Sequence, residues 1–286
     1  MTKILVTGSK GQLGSELQKL APGHPEHTFV FTDQEEMDIT VPSAVEALFA
    51  REKPGVVIHG AAYTAVDRAE EDMDAARQVN VRGTANVASA ASKVRALMVH
   101  ISTDYVFDGS GCRPYRETDP ASPASVYGKT KLDGELEVIL NTTRSLIIRT
   151  SWLYSTYGHN FVKTILRRAR EKGYLEVVFD QVGCPTYAAD LAEAILQIFP
   201  AAPGDARGAI YHYSNEGVCS WYDFALAITS MAGISCDIEP VLSSAFKTAA
   251  SRPHYSVMDK TRIKADFGLS VPYWRDSLAR CLDQMD

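Results

Sequence analysis

Cysteine is scarce in this chain: Cys112, Cys184, Cys219, Cys236 and Cys281 are an odd number, widely scattered through 286 residues. They form no CxxC pair and have no histidine at zinc-ligand spacing, which excludes a disulfide framework and a structural zinc site. They read as reduced, mostly buried thiols, and none lies in a motif that would supply a base. Long hydrophobic runs are missing too. The opening apolar run at Ile4-Leu-Val is too short for a signal peptide and no later stretch approaches a membrane span, so a cytoplasmic protein without a membrane partner is expected. Positive charge is not in excess: Lys+Arg 29 against Asp+Glu 35 gives −6, which argues against a nucleic-acid partner. Any anionic ligand must be held locally. There is no repeat, low-complexity tract or flexible linker. What remains is 45% hydrophobic and 22% charged residues in a chain long enough to bury a large core.

The hydrophobic pattern alternates between strand and helix periods. Residues 3 to 7 read as a buried strand, and Leu13, Leu17 and Leu20 follow at helical spacing. A strand at 28 to 32, a helix around Val45, Leu48 and Phe49, and a strand at 56 to 59 close the first βαβ unit. A helix over roughly 74 to 92, a strand at 97 to 101, a helix holding Tyr127 and a strand at 145 to 149 continue the rhythm. The fold class is α/β, a doubly wound parallel sheet of the Rossmann type. After Trp152 the pattern loosens: helices near 160 to 172, 189 to 199 and 221 to 232 mix with short strands near 175 to 179, 210 to 214 and 237 to 241. A smaller, discontinuous α/β region is expected there, sharing one cleft with the sheet.

Gly8-Ser-Lys-Gly11-Gln-Leu-Gly14 follows a strand and opens a helix, the context that makes a glycine pattern a dinucleotide loop. Glycine permits a tight turn and close backbone approach to a pyrophosphate, whose charge faces the helix N-terminal amides. Asp33 ends the second strand, where an acidic side chain reaches the adenosine ribose and repels a 2′-phosphate; Lys10 in the loop would pair with such a phosphate. The two point in opposite directions, and the cofactor stays open between NADPH and NADH. Residues 1–152 are accordingly assigned to a dinucleotide-binding domain to which roughly 183–215 returns. Residues 153–182 and 216–286 are assigned mostly to a substrate-binding region.

Tyr127-Gly-Lys-Thr-Lys131 starts a helix after a proline-containing turn at 120 to 124. Positions i and i+4 share a face, so phenol and ammonium point into one cleft. A phenol with an ordinary pKa near 10 needs a neighbouring cation to serve in proton transfer at neutral pH, and Lys131 supplies one. Two such residues four apart are common on solvated helices, and context decides. Thr103 ends the strand before this helix, and strand ends of such sheets converge on one site, so its hydroxyl is placed to hold a carbonyl oxygen.

The glycine loop, Ala61-Ala62, Ser102-Thr103 and Tyr127-x-x-x-Lys131 resemble the extended short-chain dehydrogenase/reductases. Longer strings narrow the likeness. Gly11-Gln-Leu-Gly, Ala61-Ala-Tyr-Thr-Ala-Val-Asp, Ser102-Thr-Asp-Tyr-Val-Phe-Asp-Gly, Val126-Tyr-Gly-Lys-Thr-Lys-Leu-Asp-Gly-Glu, Arg149-Thr-Ser-Trp, Asn160-Phe-Val-Lys-Thr, Asp180-Gln-Val-Gly-Cys-Pro-Thr and Ser251-Arg-Pro resemble the dTDP-4-dehydrorhamnose reductases over nearly the whole chain.

That resemblance implies NAD(P)H-dependent reduction of the C4 ketone of dTDP-4-dehydro-β-L-rhamnose to dTDP-L-rhamnose, for surface polysaccharides, with no metal required for the chemistry. It implies Tyr127 as proton donor, Thr103 holding the same oxygen, and Lys131 tuning the phenol and binding nicotinamide ribose. It places Gly11, Gln12 and Leu13 on the pyrophosphate beside Gly8 and Gly14, Asp38 and Ile39 near the adenine, and Ala61, Ala62 and Thr64 along the cofactor. Tyr105 and Trp152 would touch the dTDP-sugar, with Val66 and Asp104 nearby and Arg252 on its nucleotide side. The chain departs from the family at His254-Tyr255 and at Ser125. Some relatives dimerise through magnesium; Glu16 matches one such position but Ala189 occupies another, so monomer and homodimer both stand. A dehydratase would carry a second carboxylate after Asp104, where this chain has Tyr105. An epimerase would return its hydride to the same sugar, and a non-catalytic subunit, like the β subunit of methionine adenosyltransferase, would turn nothing over.

Overall fold

Ile4, Leu5 and Val6, none more than 1% exposed, form the middle of the first strand and pack alternately into the two faces of a central sheet. This is the pattern of a parallel sheet covered on both sides. The computed structural model describes residues 1–285. In chain order the first half runs Thr2–Thr7 (β1), Gln12–Leu20 (α1), His27–Thr32 (β2), Pro42–Glu52 (α2), Val56–His59 (β3), Val66–Glu71 (α3), Met73–Arg77 (α4), Thr84–Lys93 (α5), Leu97–Thr103 (β4), Val126–Asn141 (α6) and Ser145–Thr150 (β5). The second half runs Leu153–Tyr154 (β6), Phe161–Lys172 (α7), Tyr174–Val178 (β7), Val182–Gly183 (β8), Thr186–Tyr187 (β9), Ala188–Ile198 (α8), Ala209–His212 (β10), Cys219–Ser220 (β11), Trp221–Met231 (α9), Asp237–Val241 (β12), Thr261–Phe267 (α10) and Trp274–Leu282 (α11).

The main sheet has the order β10-β5-β4-β3-β1-β2, parallel throughout. The doubly wound expectation holds. Because β1 sits between β2 and β3, the winding reverses beside it, and a crevice opens at the carboxyl ends of the strands there. On one face Leu13 and Leu17 of α1 and Leu191 and Ile195 of α8 cover Ile4, Val6 and Ile58. On the other, Val45 and Phe49 of α2, Val87 and Ala91 of α5 and Val138 of α6 cover Leu5, Val57 and Met98. The strand expected near 210 to 214 is β10, which pairs with β5 as the sixth strand of this sheet.

The continuous helix expected over 74 to 92 is interrupted. Gln78–Gly83 widens into a π-helical segment between α4 and α5, a feature often found at functional sites. Three hydrogen bonds of the Asn80 side chain account for it. Asn80 Oδ1 accepts from the Tyr63 amide at 2.8 Å, and its Nδ2 donates to the Tyr63 carbonyl at 3.1 Å and to Thr130 Oγ1 at 3.0 Å. The wide turn thus presents a buried amide that fastens the segment after β3 to α6, a competition periodicity alone does not reveal. A second core lies beyond Trp152, where Val162 and Ile165 of α7, Phe224 and Ile228 of α9 and Leu278 of α11 pack together over β7, itself paired in parallel with β12.

Candidate active site

The glycine loop is built by close approach. Gly8 has φ +70°, and a Cβ there would lie 2.7 Å from the Ala61 amide nitrogen, so β1 passes against the chain leaving β3 only without a side chain. A Cβ on Gly14 would strike the Gly8 carbonyl and Ser9. No side chain caps α1 at Gly11, which leaves its first-turn amides for a ligand. These features fit a dinucleotide pyrophosphate.

A cleft of about 910 Å³ runs from this loop across the strand ends. Gly8, Gly11, Gln12, Leu13 and Gly14 line its floor, with Asp33, Asp38 and Ile39 at one end and Ala61, Ala62, Thr64 and Val66 along one side. Thr103, Asp104, Tyr105, Tyr127, Lys131 and Trp152 form the other end. At the rim, Asp33 accepts from the amides of Lys10 and Gln34, each at 2.9 Å. The Lys10 ammonium is drawn to Glu35 at 2.7 Å, so it is not held over the loop. The Asp38 carboxyl accepts from the Thr40 hydroxyl and amide at 2.7 and 2.8 Å, which holds it below the usual carboxylate range.

Tyr127 is the second residue of α6, whose N-terminus is capped by Ser125 accepting from the Gly128 amide at 3.1 Å. A Cβ on Gly128 would collide with the Tyr105 carbonyl, so the helix start is seated on the turn that follows β4. The Tyr105 and Tyr127 rings meet edge to face, 5.5 Å apart. Burial pushes the Tyr127 phenol up to about 12, against a pull downward from the Thr103 hydroxyl. Thr103 also donates to Asp104 Oδ1 at 3.0 Å and accepts from the Tyr105 amide at 3.2 Å. Burial raises Asp104 to about 6, with the Ser256 and Thr103 hydroxyls acting the other way.

The Lys131 Nζ donates to the Ile101 carbonyl at 2.7 Å, and desolvation is the largest influence on the Tyr127 phenol. Burial lowers Lys131 itself to about 8, opposed by Glu135 one turn on. Arg252 does not line the cleft. It forms a two-point ion pair with Asp67 at 3.0 and 2.5 Å, the carboxylate being a good match for the planar guanidinium fork.

Other wall residues escaped the sequence reading. Thr150 and Ser151 line the cleft at the end of β5, a position the strand-end rule would have found. Gly158 and His159 enter from the loop before α7, and no spacing signals them. That loop is tied to the glycine loop by Asn160 Nδ2 donating to Gln12 Oε1 at 3.0 Å. Among the described residues no group of three or more His, Cys, Asp or Glu side chains is placed to hold a metal ion, and no helix is long and apolar enough to cross a membrane.

The chain matches the RmlD substrate binding domain family over residues 1–286. It is similar to the spore coat polysaccharide biosynthesis protein SpsK of Bacillus subtilis, 42% identical over 99% of this chain and 98% of that one. It is also similar to the dTDP-4-dehydrorhamnose reductase of Aggregatibacter actinomycetemcomitans, 40% identical over 97% of each. The crystal structure of dTDP-4-dehydrorhamnose reductase from Bacillus anthracis in complex with NADP superposes with a TM-score of 0.94 at 39% identity, covering 99% of both chains. With that match along its whole length and that depth of likeness in sequence and fold, the chain belongs to the dTDP-4-dehydrorhamnose reductase family of extended short-chain dehydrogenase/reductases.

Proposed function

We propose that this protein reduces the C4 ketone of dTDP-4-dehydro-β-L-rhamnose to dTDP-L-rhamnose, in the cytoplasm. The observation that carries this reading is a single cleft joining a dinucleotide loop to Thr103, Tyr127 and Lys131. NADPH is the proposed reductant, on the strength of the NADP-bound relative. Asp33 and Glu35 at the rim leave room for NADH as well, since acids there disfavour only the 2′-phosphate. When bound, the reduced nicotinamide supplies the hydride that the ketone carbon accepts.

The chain's own part is proton delivery and orientation. A phenol raised to about 12 stays protonated at neutral pH, so Tyr127 donates its proton to the C4 oxygen as that oxygen gains charge. Thr103, beside the same phenol, helps hold the oxygen in place. Lys131, buried with its ammonium under the strand end, supplies positive charge close to where the phenolate forms. Tyr105 stands where a dehydratase needs a second carboxylate, which disfavours dehydration at this site.

Replacing Tyr127 by Phe should lower turnover by at least about a hundredfold, the scale of a lost general acid, while cofactor binding is retained. Near-normal turnover in that variant overturns the assignment. Tight cofactor binding with no turnover in the wild type would favour a regulatory subunit instead.

A further inference from the structure

Trp152 has φ +48°, in the left-handed region that bulky residues seldom occupy, and it lies just past β5 where it lines the cleft. Such a conformation persists where the surroundings over-determine it. Two neighbours do so. One face of the indole lies on Trp221, with ring centroids 3.5 Å apart and planes 7° from parallel. Phe161 backs Trp221 at 4.5 Å. The edge of the same indole lies over Gly183, where a Cβ would come within 2.7 Å of Cε2 and 2.8 Å of Cζ2. Neither Trp221 nor Gly183 lines the cleft.

The two supports are fastened to each other. β8 and β11 pair antiparallel, with Gly183 opposite Cys219 and Val182 opposite Ser220. Ser220 then caps α9 reciprocally: its hydroxyl accepts from the Asp223 amide at 3.0 Å, and its own amide donates to the Asp223 carboxylate at 2.9 Å. Trp221 is the first residue of that helix. Its position is therefore set by a strand pair and a cap rather than by side-chain packing alone.

We propose that Trp221 and Gly183 are positioning residues that hold the Trp152 indole as a fixed wall for the sugar end of the substrate; this rests on the reductase reading above. A wall immobilised before binding spares the ordering of a large side chain on association. Reacting groups misplaced by about 1 Å lose up to roughly a hundredfold in rate, so a wall that wanders is felt at the ketone. Trp221 acts through Trp152 and touches nothing that reacts.

The test uses Trp221→Leu, which removes the stack, and Gly183→Ala, which presses on the indole edge and leaves every aromatic in place. Both should raise the KM for dTDP-4-dehydrorhamnose about tenfold, with a smaller fall in kcat and unchanged cofactor Kd. Trp221→Phe, which keeps a ring against the indole, should recover most of the loss. The exciton couplet of stacked indoles in the circular dichroism spectrum should vanish in Trp221→Leu. Wild-type KM in both variants overturns the proposal, whatever their Tm. So does a cofactor Kd that rises in step with KM, because the whole lobe has then moved. Calorimetric binding of dTDP-L-rhamnose reads the same wall without turnover. If the wild type binds that ligand but leaves the ketone unreduced, the reductase reading fails, and the positioning role stands or falls on the Kd of the two variants.

Discussion

The Tyr127 phenol and the Lys131 ammonium share one helix face, and burial favours the neutral form of each: the phenol rises to about 12 and the amine falls to about 8. Burial acts the same way on three histidines. His59 and His212 are held near 3, and His100 well below its usual value, because each is desolvated in the sheet or against it. The neutral form is thus favoured on folding. Between the unfolded value of 6.5 and the folded values near 3, the unfolded chain binds more protons, so stability falls as pH drops through that window. At about pH 5, His59 and His212 together remove roughly 4 kcal/mol relative to neutrality, and His100 adds in the same direction. Asp104, whose carboxyl is raised to about 6, works oppositely and returns roughly 1 kcal/mol, and Glu16 and Glu117, raised by burial, act in the same direction as Asp104. The histidines win. The urea midpoint of the protein should therefore drop clearly from near-neutral pH to about pH 5; a flat midpoint over that interval contradicts the burial argument.

At the scale of elements, the close crossing of α6 over the π-helical segment is the joint that brings Tyr127 to the cofactor wall. A Cβ on Gly134 would lie 2.5 Å from the Asn80 carbonyl oxygen. Helix propensity alone favours Ala over Gly by about 1 kcal/mol, while forced overpacking against backbone costs about 1–3 kcal/mol. The steric cost prevails, so Gly134→Ala should lower Tm and weaken cofactor binding, since Asn80 also holds Tyr63 in the wall. A raised Tm with intact cofactor binding would contradict this. The same joint marks where the sequence stops being legible. Strands β1, β3, β4 and β5 and the helices beside them follow from runs of apolar residues at fixed periods. The π-helical segment does not, because one buried amide overrides an ordinary helical pattern. Residues on motif strings or strand ends, such as Thr103 and Tyr127, are readable in advance. Lys131's bond to the Ile101 carbonyl, Arg252's pairing with Asp67 and the entry of His159 depend on how distant segments meet.

At the scale of the molecule, a doubly wound sheet supplies the floor of the cleft, and the lobe beyond Trp152 supplies part of its wall. The proposed ketone reduction takes place where the two meet. Incubating the purified protein with dTDP-4-dehydrorhamnose and NADPH, then with NADH, and identifying the product sugar, tests this account most directly. It predicts dTDP-L-rhamnose formed in equal amount to the cofactor oxidised. No cofactor oxidation, or an epimerised keto sugar recovered without net consumption of cofactor, would contradict it.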